Sequence, residues 1–168
     1  MSSLFVIGGA RSGKSRYAQA RAEATGLRRI FIATAQALDD EMRERIARHR
    51  DDRGLDWETV EAPLDLAKAI AAHSAPDKVL LVDCLTLWVT NLILAARDMS
   101  AATDCLIAAL ARVKGPLILV SNEVGCGIVP DNALARRFRD EAGTTNRRVA
   151  AAADEVQLLV AGLPLRLK

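Results

Sequence analysis

The segment Phe5-Val-Ile-Gly-Gly-Ala-Arg-Ser-Gly-Lys-Ser-Arg16 sets Gly8, Gly13, Lys14 and Ser15 in the spacing G-x-x-x-x-G-K-S, directly after the apolar run Leu4 to Ile7. Glycines at those places let the backbone curl so that successive N–H groups point inward at phosphate oxygens, a path that a Cβ would obstruct. Lys14 then reaches the β and γ phosphates, and the Ser15 hydroxyl is placed to ligate Mg²⁺. A helix starting near Gly13 adds the partial positive charge of its N-terminus to the same spot. A glycine-rich turn can match such a pattern by chance. Here the strand before it and the amphipathic run Ser15 to Ala24 after it supply the context that the motif needs. The chain is therefore expected to bind a nucleoside triphosphate.

A chain of 168 residues fits one domain, 1–168, and leaves no room for a second catalytic one. Hydrophobic residues make up 51%, yet no apolar stretch approaches the roughly 20 residues of a membrane helix. The N-terminus lacks a basic region followed by an apolar signal segment. These features predict a cytoplasmic protein with no membrane span. The 23 basic and 21 acidic residues are too evenly matched for a nucleic-acid binder, and the basic excess is local, notably Arg43 to Arg53. Cys84, Cys105 and Cys126 are odd in number and lack metal-ligand spacing, which argues against a disulfide framework or a zinc site. They are read as buried thiols. Histidine chemistry has two candidates, His49 and His73.

Apolar runs at Leu4 to Ile7, Ile30 to Ala33, Val79 to Asp83, Leu117 to Ser121 and Val156 to Val160 are nearly continuous, as in strands buried on both faces of a parallel sheet. Helical patterns lie between them at Ser15 to Ala24, Asp39 to His49, Pro63 to His73, Leu85 to Ala96, Ala101 to Val113, Asn132 to Ala142 and Thr145 to Ala152. Trp57 to Val60 adds a short strand, and Gly162-Leu163-Pro164 turns the chain into a last one, Leu165 to Leu167. With the phosphate loop, this alternation predicts the α/β class: a P-loop NTPase (RecA-like) three-layer sandwich with a mostly parallel central sheet and right-handed crossovers. The stretch Arg50 to Asp56 has no periodicity and reads as a mobile loop near the nucleotide.

Val79-Leu-Leu-Val-Asp83 ends four apolar residues on a carboxylate, which places an acid at the carboxyl end of a strand. Asp83 has two readings, a group near the Mg²⁺ or a cap for the helix starting near Leu85, and the phosphate loop favours the first. Asn122 and Glu123 end another strand on the side where open α/β sheets bind ligands. Glu123 is equally readable as a solvated loop carboxylate. In Asp39 to Arg50 acids crowd the first turn and bases the last, matching the helix dipole. Met42, Ile46 and His49 follow i, i+4, i+7 spacing, so His49 lies on or beside the apolar face, where a lone histidine is ordinarily structural. Arg48, Arg50 and Arg53 disfavour its protonation while the helix C-terminus favours it. A neutral imidazole there is a nucleophile. His73 is expected at a helix end, interacting with terminal carbonyls.

Five segments together resemble one family, the bifunctional adenosylcobinamide kinase/adenosylcobinamide-phosphate guanylyltransferases of cobalamin biosynthesis. They are Gly8-Gly-Ala-Arg-Ser-Gly-Lys-Ser15, Ala33-Thr-Ala35 with Leu38-Asp-Asp-Glu-Met42, Arg45-Ile-Ala-Arg-His49, Asn122-Glu-Val-Gly-Cys-Gly-Ile-Val-Pro130 and Asn146-Arg-Arg-Val-Ala-Ala-Ala-Ala-Asp-Glu155. The resemblance spans nearly the whole chain. It implies phosphorylation of the aminopropanol hydroxyl of adenosylcobinamide by ATP or GTP, then transfer of GMP from GTP to that phosphate. It also implies a guanylylated histidine at His49. Because the loop grips the β and γ phosphates, the α-phosphorus lies where the His49 helix can approach, so this helix is expected to move between nucleotide states, and the phosphate-loop Lys14 is the second catalytic residue. Nucleotide contacts carry over to Gly8, Gly9, Ala10, Arg11, Ser12, Gly13, Lys14, Ser15, Ala33, Thr34, Ala35, Arg50, Asp51, Asp52, Arg53, Glu61 and Asp83, with Ser15 and Asp83 toward Mg²⁺. A homotrimer is implied as well. A one-step small-molecule kinase that never uses His49, and a non-enzymatic nucleotide switch, are the rival readings.

Overall fold

The computed structural model describes residues 3–36, 44 and 56–168. The helix expected over 39–49 and the stretch 50–55 lie, Glu44 aside, outside the described residues. Seven strands form one sheet: β1 (Ser3–Gly8), β2 (Arg28–Ala33), β3 (Trp57–Glu61), β4 (Lys78–Asp83), β5 (Leu117–Asn122), β6 (Glu155–Val160) and β7 (Leu163–Arg166). Their order is β3-β2-β4-β5-β1-β6-β7, and every neighbouring pair is parallel except β6 with β7. The described helices are α1 (Lys14–Glu23), α2 (Leu66–His73), α3 (Leu85–Leu94), α4 (Met99–Leu110) and α5 (Ala133–Ala152).

The continuous apolar runs are explained by helices on both faces. Alternate residues Leu4, Val6, Phe31, Val79, Leu81, Ile118 and Val120 join the cluster that includes Ala18 and Ala22 of α1. Those two alanines are fully buried and, having no bulk beyond Cβ, let the helix lie close against β1, β4 and β5. The intervening residues Phe5, Ile30, Ile32, Leu80, Val82, Leu117 and Leu119 point the other way, into a larger cluster with α2 to α5. There α3 is buried on most sides, which is why Leu85 to Leu94 is largely apolar rather than apolar on one stripe, its buried Thr86 and Asn91 both being hydrogen-bonded.

Among the boundaries that differ from expectation, three have a local cause. One helix, α5, runs where two were expected, straight through Gly143 and Thr144. A glycine inside a helix costs about 1 kcal/mol relative to alanine, and the burial of Ala142, Thr145, Asn146 and Val149 on either side of it offsets that. The final turn falls at Ala161 and Gly162, so Leu163 and Pro164 already belong to β7, where Val160 pairs with Leu163. Both turn residues have positive φ, 51° and 81°, as a tight two-residue hairpin requires. Helix α2 begins at Leu66 instead of Pro63, because Asp65 occupies its N-cap position.

Candidate functional site

The phosphate loop leaves β1 at Gly8 and enters α1 through Gly13, whose left-handed φ of 92° stands at the N-cap position. A Cβ on Gly8 would strike the Leu159 carbonyl of β6 and come within 2.9 Å of Ser12 Oγ, so only glycine fits. Arg11 also adopts a positive φ, 54°, at the crest of the turn. The Lys14 ammonium folds back over the loop and donates to the Gly9 carbonyl at 2.6 Å. Burial lowers its pKa, opposed chiefly by the negative charge of the Asp83 carboxylate. Ser12 Oγ is buried with no hydrogen-bond partner among the described residues.

A contact that sequence reasoning missed braces this loop. The Gly162 amide donates to the Ser12 carbonyl at 2.9 Å, so the β6–β7 turn leans against the phosphate loop. A Cβ on Gly13 would stand 3.3 Å from Gly162 Cα. Gly162 between two apolar runs signals a turn in the sequence, but no local pattern signals what that turn rests on.

At the carboxyl edge, strand register gathers residues far apart in sequence. Ala33 pairs with Glu61 on one side and with Asp83 on the other. Gly8 pairs with Asn122. Three of the predicted residues outside the loop thus form one row across β3, β2 and β4. Cys84 holds the N-cap position of α3, so Asp83 does not cap that helix. Its carboxylate acts instead on Lys14 across the site.

Thr34 is fully buried, and its hydroxyl donates to the Cys84 carbonyl at 2.7 Å while accepting from the Cys84 amide at 2.9 Å. Asn91 Nδ2 donates to the Thr34 and Pro63 carbonyls at 2.8 and 3.0 Å. The Thr34 side chain therefore ties the ends of β2 and β4 together. Burial pushes the Cys84 thiol up to about 11, which removes it as a nucleophile. Cys84 is buried as expected, whereas Cys105 and Cys126 are exposed. Thr86 Oγ1 accepts from the Asn122 amide at 2.7 Å, and the Glu123 amide donates to the Gly8 carbonyl at 2.9 Å. Ala35 follows β2 and is half-buried. His73 ends α2, with Nδ1 4.0 Å from Glu58 Oε1 of β3, a carboxylate partner where terminal carbonyls were expected. His49, Arg50, Asp51, Asp52 and Arg53 lie outside the described residues.

Ser15 and Asp83 offer a hydroxyl and a carboxylate, the hard oxygen donors that Mg²⁺ takes. Among the described residues no group of three or more His, Cys, Asp or Glu side chains could hold a metal ion. That donor set fits an ion shared between few protein oxygens and the phosphates of a nucleotide, not a self-sufficient metal cage.

Comparison with known proteins converges on one family. The family described as cobinamide kinase / cobinamide phosphate guanyltransferase matches residues 4–167. The bifunctional adenosylcobalamin biosynthesis protein CobP of Pseudomonas aeruginosa is 47% identical over 165 residues, covering 97% of this chain and 95% of that one. CobU of Salmonella typhimurium, of the same description, is 45% identical, with 98% and 99% covered. Among solved structures, the flagellar accessory protein FlaH of Methanocaldococcus jannaschii aligns with a TM-score of 0.53 at 12% identity, covering 99% of this chain and 78% of that one. A solved ATPase domain aligns at 0.53 and 11%, covering 94% and 68%. These two likenesses bear on the fold alone.

Proposed function

Since this chain belongs to the cobinamide kinase / cobinamide phosphate guanyltransferase family, we propose that it phosphorylates the aminopropanol hydroxyl of adenosylcobinamide from ATP or GTP and then transfers GMP from GTP to that phosphate. The first step releases ADP or GDP, and the second gives adenosylcobinamide-GDP and pyrophosphate. The observation that carries this reading is the phosphate loop, with Lys14 opening α1, at the carboxyl edge of a parallel sheet where strand register lines up Glu61, Ala33 and Asp83.

In the kinase step Lys14 and the loop amides of residues 9–15 hold the phosphates, and little base strength is needed because positioning and charge neutralisation supply most of the acceleration. Mg²⁺, when held by Ser15 and Asp83, supplies further neutralisation of the phosphate charge. In the second step the neutral His49 imidazole attacks the α-phosphorus of GTP, the bond to pyrophosphate breaks, and a phosphoramidate forms. An oxygen of the cobinamide phosphate then attacks that phosphorus and releases His49. The family resemblance supports the roles of His49 and of Arg50, Asp51, Asp52 and Arg53. Ala33, Ala35, Glu61 and Asp83 are assigned to the nucleotide by the resemblance and by their place at the carboxyl edge. Thr34 is assigned a positioning role, since its hydroxyl is taken by Cys84.

A cytoplasmic homotrimer belongs to the same proposal. No described helix is long and apolar enough to cross a membrane. The test is sequential product analysis: cobinamide with ATP should gain one phosphoryl group, and later addition of GTP should add one GMP to it. Phosphorylation without GMP addition would leave a one-step kinase.

A further inference from the structure

We infer that the loop over residues 124–130, with Ile128 and Val129 at its tip, is the surface on which the corrinoid ring of the acceptor docks. This assignment rests on the reading of the preceding subsection and supplies the acceptor side that the nucleotide-binding residues leave open.

Position comes first. The loop starts beside the phosphate loop, because the Glu123 amide donates to the Gly8 carbonyl at 2.9 Å and Asn146 Nδ2 donates to the Asn122 carbonyl at 3.1 Å. Its far end is fixed by Arg136 Nη1, which donates to the Pro130 and Asp131 carbonyls at 3.0 and 2.7 Å, and by Asn132, whose side chain caps α5 through the Ala135 amide. Both ends are thus tied to regular elements, and the segment between them projects outward.

Chemistry comes second. Ile128 is 97% exposed and Val129 59%, with Leu134 exposed in the first turn of α5. A single exposed apolar side chain is ordinary, but two in succession on a loop tied to the phosphate loop mark a place where something apolar binds. Glu123 is the one charged residue of segment 123–130, and it is anionic. The Glu123 carboxylate accepts from the Gly125 amide at 2.6 Å, and the segment offers a polyphosphate no cationic side chain. It suits a large acceptor that carries no anionic charge and presents methyl groups between its amide side chains, which describes the corrinoid before phosphorylation. With the ring on this loop, the aminopropanol arm has the adjacent phosphate loop within reach.

The test combines two readouts on the full-length protein. Replacing both tip residues, Ile128→Ser with Val129→Ser, should raise the KM for cobinamide roughly tenfold or more while leaving the affinity for a fluorescent GTP analogue unchanged. In the wild type, cobinamide should slow alkylation of the exposed Cys126 by iodoacetamide several-fold and leave the exposed Cys105 of α4 as reactive as before. An unchanged KM together with unprotected Cys126 would overturn the assignment. So would an unchanged KM with an altered molecular mass in solution, which would give the apolar tip to a contact between copies of the chain. Because protection is read without turnover, a wild type that is protected but inactive would overturn the enzymatic reading and leave the docking surface standing.

Discussion

Lys14 donates its ammonium to the carbonyl of Gly9, five residues earlier in the same loop, at 2.6 Å. A triphosphate must draw that ammonium from a carbonyl to an anion, an exchange that a charge-assisted hydrogen bond favours. Lys14→Met should keep the fold, weaken GTP binding by about tenfold or more, and abolish phosphorylation of cobinamide. Calorimetric titration with GTP, beside an assay of the phosphorylated product, checks both halves.

Asp83 ends β4, its charge opposes the burial-driven drop in the Lys14 pKa, and the same carboxylate is assigned to Mg²⁺. Asp83→Asn is nearly isosteric and removes the charge. Turnover should fall by about a hundredfold, on the order of losing one preorganised charged contact in the transition state, and the Mg²⁺ concentration for half-maximal rate should rise. A Mg²⁺ titration of the initial rate in both proteins decides this.

Thr34 and Cys84 illustrate a predicted site residue whose work is structural. Thr34→Val keeps the shape, removes two hydrogen bonds and leaves the buried Cys84 amide without its acceptor. The expected cost is about 1–3 kcal/mol, measured as a shift of the urea midpoint at an unchanged slope. GTP affinity should fall much less than in Lys14→Met.

Arg21 and Glu155 join α1 to β6 through two parallel hydrogen bonds of 2.9 and 2.8 Å. The Arg21 guanidinium holds the Glu155 carboxyl down to about 2 from an ordinary 4.5. A depressed carboxyl pKa adds stability that is present above the unfolded value and lost as pH falls through the folded one. The contribution is therefore complete above about pH 5 and fades toward pH 2, and it is modest because both side chains are partly exposed. Thermal melts of wild type and Arg21→Met should differ at pH 7 and converge in acid.

Most of the fold was legible because strands buried on both faces leave continuous apolar runs, and Leu4 to Ile7, Val79 to Asp83 and Leu117 to Ser121 each became a parallel strand. The phosphate loop was equally legible, since glycine positions such as Gly8 are dictated by the approach of Leu159. Boundaries governed by tertiary contact were harder to read. Gly143 suggested a break in α5, and only the packing of Ala142, Thr145 and Val149 shows why the helix continues. The support of Ser12 by Gly162 was likewise hidden, because it joins residues 150 positions apart in sequence. Motif matching named Thr34, but only its two bonds to Cys84 reveal that its hydroxyl is already engaged.

The central claim is that one chain both phosphorylates cobinamide and carries GMP on His49, and a single labelling experiment tests it most directly. Wild type and His49→Ala are incubated with Mg²⁺ and GTP labelled at the α-phosphate, then denatured and separated. The account predicts an acid-labile, base-stable label on the wild type, released by cobinamide phosphate and absent from His49→Ala. A wild type that forms the GDP-linked product without ever carrying label, or a His49→Ala protein labelled as strongly as wild type, would contradict it.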